Sequence, residues 1–173
     1  MEDRILFEDN HLIVINKKAG ELVQGDNTGD MSLLDLVKAF LKSKYNKPGA
    51  AFLGLVHRLD RPTSGVILFA KTSKALTRLN KQFRLRIPKK TYWAIVSKKL
   101  INQEGCLIHW MTRNTNQNKS KAHSKKVLNG KLAKLNYISL KSFDHYRLLE
   151  VNLETGRHHQ IRAQLSAINF PIK

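Results

Sequence analysis

In the run His57-Arg58-Leu59-Asp60-Arg61-Pro62-Thr63-Ser64-Gly65, one carboxylate stands between two guanidinium groups that never lose their charge. Cations beside an acid favour its ionised form. Pro62 and Gly65 force the chain to turn. A lone ionised aspartate in a rigid, cationic loop suits a nucleophile or base that acts on a polyanion. The competing reading is an ion pair in a surface turn, a common and weak feature. Apolar residues flank the loop at 51–56 and 66–70, and both runs read as buried strands. Asp60 is therefore expected at the edge of a sheet.

The charge of the whole chain favours the polyanion. Its 173 residues hold 31 Lys and Arg against 13 Asp and Glu, a formal net charge of +18. Between Asp60 and Asp144 the only acid is Glu104, while the same interval holds 19 Lys or Arg. Such an excess is the electrostatic footprint of a protein that meets phosphate backbones. An acidic protein partner or an anionic membrane would satisfy the same charge less specifically. One cysteine, Cys106, allows no intramolecular disulfide, and it reads as a small apolar filler. No stretch reads as a signal peptide or is apolar for long enough to cross a bilayer. A cytoplasmic protein with no membrane association is expected.

The elements that must hold the loop can be read in order. Ile5 to Phe7 and Leu12 to Asn16 form two short strands around an Asp9-Asn10 turn. A capping-box start, Ser32-x-x-Asp35, opens a helix whose apolar face is Leu33, Leu36, Val37, Phe40 and Leu41. Thr72 or Ser73 caps a second helix that runs to about Arg86. Leu76, Leu79, Phe83 and Ile87 face inward, and Lys74, Arg78, Lys81, Arg84 and Arg86 lie outside. That outer face is either solvated or turned to RNA. Thr91 to Val96 is a strand. Residues 113–124 are polar and basic, a mobile loop or a hairpin tip. Lys134 to Leu140 and Tyr146 to Leu153 form a hairpin, and Thr155 or Gly156 opens a last helix over about Arg157 to Ile168. The pattern predicts one α+β domain over residues 1–173, a mixed but largely antiparallel sheet with flanking helices.

Four segments together resemble the RluA-like family of RNA pseudouridine synthases. The His57–Gly65 run resembles the family's signature loop. Phe7-Glu8-Asp9-Asn10-His11-Leu12-Ile13-Val14-Ile15-Asn16-Lys17 resembles its first hairpin. Lys89-Lys90-Thr91-Tyr92-Trp93-Ala94 resembles its Lys-x-Tyr strand, and Glu154-Thr155-Gly156-Arg157-His158-His159-Gln160-Ile161-Arg162 its Gly-Arg-x-His-Gln-Ile-Arg turn and helix. They occur in the family's order and span nearly the whole chain.

The resemblance implies isomerisation of a uridine to pseudouridine in rRNA or tRNA. It makes Asp60, Tyr92 and Arg162 the catalytic set. Asp60 would trap or relieve the positive character that glycosidic cleavage leaves on a sugar, as nucleophile or as base. Tyr92 would stack on the extracted uracil and reach a ring proton. Arg162 would hold the carboxylate in a forked pair. Arg58, Arg61, Thr63, Lys90, Arg157, His159 and Gln160 would meet the RNA. The isomerisation needs no cofactor. His158-His159 does not read as a metal site, because adjacent positions of a helix do not share a face. A monomer without an obligate protein partner is implied. So is the loss of C-terminal strands, since family members usually continue past Lys173, and there is no room for a small RNA-binding domain before the first hairpin. Two other classes share the charge. A binding protein without chemistry would not need Asp60, and a base-releasing glycosidase would liberate free uracil.

Overall fold

The computed structural model describes residues 1–97 and 102–173. The chain divides into two compact units, Met1–Ile87 and Pro88–Lys173, each with its own antiparallel sheet and apolar core.

In the first unit, β1 (Ile5–Glu8) and β2 (Leu12–Lys17) form the expected hairpin. Asp9 shapes its turn by accepting from the amides of His11 at 2.7 Å and Leu12 at 2.6 Å. Helix α1 (Leu33–Lys44) starts where the capping box predicts, with the Asp35 amide donating to the Ser32 hydroxyl. Leu33, Val37 and Leu41 of its inner face are buried against Ile13, Ile15, Ile67 and Phe69. Strand β3 (Gly54–Leu55) is far shorter than the run 51–56 suggests. Ala51 and Leu53 are buried without ladder pairing, so apolar composition there marks core position rather than a strand. Strand β4 (Gly65–Ala70) pairs with both β2 and β3, giving the order β1-β2-β4-β3.

Helix α2 (Ser73–Arg84) is capped by Thr72, whose hydroxyl accepts from the Ala75 amide at 3.2 Å. Leu76, Leu79 and Phe83 face inward and are half-buried. Ile87 does not join them. The helix ends two residues before Arg86, which takes a left-handed turn at φ 58°, and Ile87 emerges exposed.

The second unit contains β5 (Lys90–Ser97), β6 (Glu104–Asn114), β7 (Lys119–His123), β8 (Lys131–Ser142), β9 (Tyr146–Leu153) and α3 (Gln160–Ala167). Its strand order is β5-β9-β8-β6-β7. Ala94, Val96, Leu135, Tyr137, Leu149 and Val151 form the core with Leu165 of α3. The polar stretch 113–124 is the tip of the β6–β7 hairpin, paired from Trp110↔His123 to Asn114↔Lys119. An edge strand needs no apolar face, and Lys119 and Lys121 on this edge discourage pairing with other chains. The α+β class is as expected. The pairing is antiparallel throughout the described residues and lies in two sheets, not one mixed sheet.

Glu8 ties three elements of the first unit together. Its carboxylate accepts from Lys44 at 2.8 Å, Lys71 at 2.6 Å and the Tyr45 hydroxyl at 2.7 Å. Burial pushes this acid up, but the donated hydrogen bonds outweigh it and bring the pKa from 4.5 to about 2. The stabilisation is therefore complete above pH 4.5 and is lost as pH falls towards 2. Glu8→Gln is expected to lose about 1–3 kcal/mol near neutral pH. The gap to the wild type should close across that acid window, as read by urea midpoints along a pH series.

Candidate active site

Lys17 is fully buried, and it organises the signature loop. Ile13, Ile15 and Lys17 share the inward face of β2, so strand alternation carries the lysine into the core. Its cross-strand partner is Gly65, the first residue of β4. Lys17 Nζ reaches the carbonyls of Thr63 at 2.6 Å, Arg61 at 3.1 Å, Lys18 at 3.1 Å and Asp60 at 3.3 Å. An ammonium has three protons, so at least one is shared among these four acceptors. Desolvation lowers the Lys17 pKa, opposed by the nearby charges of Glu21 and Asp60.

Further bonds fix the same backbone. The Thr63 amide donates to the Asp60 carbonyl at 3.0 Å, closing a turn. Gly20 and Arg61 pair in both directions: the Gly20 amide donates to the Arg61 carbonyl at 2.8 Å, and Arg61 Nε donates to the Gly20 carbonyl at 3.0 Å. Arg61 also pairs with Asp30 at 2.8 Å, so part of its guanidinium is engaged on its own unit. His57 Nε2 accepts from the Leu68 amide at 3.1 Å, and its ring stacks on Phe83 with centroids 5.2 Å apart. At the far end Gly65 adopts φ 136°, a conformation that favours glycine. Asp60 and Thr63 are half-buried at this clamped turn, and Arg58 and Ser64 are exposed.

Tyr92, Lys90, Arg157, His159, Gln160 and Arg162 belong to the second unit. Tyr92 lies on the inner face of β5, opposite Val151, and is half-buried against the core. Lys90 holds its ammonium close to Gly156, where even a Cβ would come within 3.1 Å. Helix α3 begins at Gln160, not near Arg157, because His159 at the N-cap is left-handed at φ 50°. His158 and His159 therefore precede the helix, and their rings do share a face, with centroids 3.7 Å apart. His158 Nδ1 also lies 2.8 Å from the Ser120 hydroxyl. No group of three His, Cys, Asp or Glu able to hold a metal occurs among the described residues. Arg162 is exposed on the first turn of α3.

Gln160 is buried and engaged within the protein. Its Oε1 accepts from the Thr155 hydroxyl at 2.8 Å and the Arg157 amide at 2.9 Å, and its Nε2 donates to the Lys134 carbonyl at 3.1 Å. It shapes the turn and presents no free polar group to an RNA. Thr155 is its buried counterpart, bonded to the Lys134 backbone rather than capping a helix. Arg157 spends Nε on the Leu132 carbonyl at 3.0 Å.

A family model described as RNA pseudouridylate synthase matches residues 11–167. The chain belongs to the RNA pseudouridylate synthase family. It is 32% identical over 172 residues to ribosomal large subunit pseudouridine synthase C of Vibrio parahaemolyticus, covering 99% of this chain and 51% of that one. It is 38% identical over 170 residues to ribosomal large subunit pseudouridine synthase D of Nitrosomonas europaea, covering 98% and 47%. The chain thus spans about half the length of these curated relatives. Among solved structures it is similar to human RNA Pseudouridylate Synthase Domain Containing 4, with a TM-score of 0.82 at 27% identity, covering 99% of this chain and 67% of that one. In this pseudouridylate synthase chain sequence reasoning gave Lys17 no role and read Thr155 as a helix cap, where it bonds the Lys134 backbone. The alternation Ile13-x-Ile15-x-Lys17 is the signal that points to Lys17.

Two substitutions test these clamps. Lys17→Met takes the donor from the Thr63 carbonyl and leaves those of Asp60 and Arg61 with their backbone donors alone, and is expected to cost roughly 1–3 kcal/mol in chemical denaturation. Amide exchange at Gly20 and Thr63 should quicken in the same variant. Gln160→Leu strands the Arg157 amide and takes the Nε2 donor from the Lys134 carbonyl, and should cost about 1–3 kcal/mol, with faster exchange at Arg157.

Proposed function

We propose that this chain carries the catalytic part of an RNA pseudouridine synthase that isomerises one uridine in rRNA or tRNA. Family membership supports the reaction. The names of the relatives, ribosomal large subunit synthases, favour ribosomal RNA as the substrate. The observation that carries the reading is the state of the Asp60 turn: one carboxylate on a backbone immobilised by Lys17 and Gly20. A group held in place before substrate arrives does not have to be ordered during the reaction.

Asp60 acts at the ribose. The bond from uracil N1 to the sugar breaks, and the carboxylate either bonds to the sugar carbon or removes a neighbouring sugar proton. The uracil turns over and its C5 bonds to the same sugar carbon as the carboxylate–sugar bond breaks or, on the other route, as the abstracted proton returns to its sugar carbon; the C5 proton then leaves and N1 takes up a proton. Substrate and product are isomers, so the balance calls for no cofactor or metal. Tyr92 stacks on the uracil and takes part in the C5 proton removal. Arg162, a forked cation on the second unit, completes the catalytic set that the resemblance implies. Arg58, Arg61, Thr63, Lys90, Arg157 and His159 meet the RNA, and Gln160 keeps their turn in shape. Reaching both faces of the base requires flipping it from its stack, at a cost of a few kcal/mol. A cytoplasmic monomer without a protein partner completes the proposal. No helix among the described residues is long and apolar enough to cross a membrane.

The test uses the full-length protein, wild type and Asp60→Asn, incubated with total RNA from a strain lacking the gene. Chemical mapping should find a pseudouridine made by the wild type alone. RNA binding by both forms with no new pseudouridine would replace the enzyme with a binding protein, and release of free uracil would replace it with a glycosidase.

A further inference from the structure

We propose that the outer face of α2, with the apolar recess beside it, is a second RNA-docking surface that holds a single-stranded segment away from the signature loop. The proposal rests on the reading that the substrate is RNA. Lys74, Arg78 and Lys81 are spaced i, i+4 and i+7, so they form one stripe on the helix. All three are exposed, and none pairs with a carboxylate among the described residues. The helix contains no acid. A face selected only for solvation mixes both signs, because like charges at i, i+4 repel and weaken a helix. Here every charged position is cationic, and the compensating charge has to come from outside.

The recess decides which form of RNA fits. A concavity of about 230 Å³ opens between the β1–β2 turn and α2. Leu12, Ala75 and Leu79 floor it, and His11, Lys74 and Arg78 stand around it. Asp9 also lines it, but its Oδ1 is spent on the amides of His11 and Leu12. A cationic stripe alone would suit any phosphate backbone. An apolar floor between an imidazole and a guanidinium gains nothing from a duplex, whose base faces are stacked inside. It gains packing from one unstacked base, with the neighbouring phosphates on the stripe.

The intact protein should be compared with Lys74→Ala/Arg78→Ala/Lys81→Ala, with His11→Ala, and with a control, Lys38→Ala/Lys42→Ala/Lys47→Ala, that removes the same charge from α1 and the turn after it. Binding to single-stranded RNA and to a duplex of equal length is read by fluorescence anisotropy over a salt series. The α2 triple variant should bind the single strand roughly tenfold more weakly, with its log-log salt slope flatter by about 2, near 0.7 for each phosphate no longer neutralised. His11→Ala should weaken the single strand several-fold with the slope unchanged. The control should lose much less than the α2 variant, and melting temperatures should stay together. Equal losses in the α2 variant and the control would overturn the surface, as would equal losses on single strand and duplex. If the wild type makes no pseudouridine while the α2 variant still loses single-strand binding, the surface stands and the catalytic reading falls. An active wild type with unchanged binding in the α2 variant removes the surface alone.

Discussion

An ammonium taken out of water must find oxygen, and the Lys17 side chain finds it in the carbonyls of Lys18, Asp60, Arg61 and Thr63. Three of those carbonyls lie in the turn between β3 and β4, outside any ladder. The exchange is mutual. The turn supplies the dipoles that keep a buried charge tolerable, and the charge draws one side of the turn to a single point. Much of the first unit follows from this. Strand β2 must alternate so that Lys17 points inward, and Gly20 must lie where it can pair with Arg61. A leucine at position 17 would suit the core as well. It would leave the turn to water.

The second unit solves the same problem with a neutral group. The turn between β9 and α3 also has backbone groups that no ladder can reach. Gln160 and Thr155 serve the amide of Arg157 and both polar groups of Lys134. An amide side chain donates and accepts, so one glutamine joins the incoming turn to β8. A charge would have cost more than it returned here, because donors and acceptors are both present. The left-handed His159 is the geometric consequence. The chain needs one sharp change of direction before α3 can start, and it is made at the residue just before Gln160.

These clamps mark the limit of what was legible in the sequence. Periodicity found β1, β2, α1, β4, α2, β5, β8 and β9, because each buries one face and its pattern records that face. The loop motifs located Asp60 and the turn before α3. Elements without an apolar face were harder to read. The tip of the β6–β7 hairpin is polar because it is an edge, and the apolar run 51–56 contributes only a two-residue strand, because burial and ladder pairing are separate constraints. The start of α3 was misplaced because a cap signal at Thr155 looks the same whether the hydroxyl caps a helix or bonds the neighbouring strand. Arg61 and Gln160 looked like ligand-facing residues and are engaged inside their own units, Arg61 in part and Gln160 fully. Residue type tells what a side chain can bond to, and only the packing tells what it does bond to.

The net charge of +18 has the same ambiguity, because it sums cations with opposite duties. Lys17, Lys44 and Lys71 are structural: their partners are carbonyls, Glu8 and Tyr45, and salt screens them little where they are buried. Lys74, Arg78 and Lys81 lie in water, where their mutual repulsion is screened and their reach is a Debye length. A patch of the second kind can gain or lose a lysine with little effect on folding. A site of the first kind cannot, since removing the charge strands its acceptors. The basic composition therefore divides into a small part that the fold requires and a larger part that folding alone does not explain. Only the larger part can answer to a polyanion without disturbing the loop that carries Asp60.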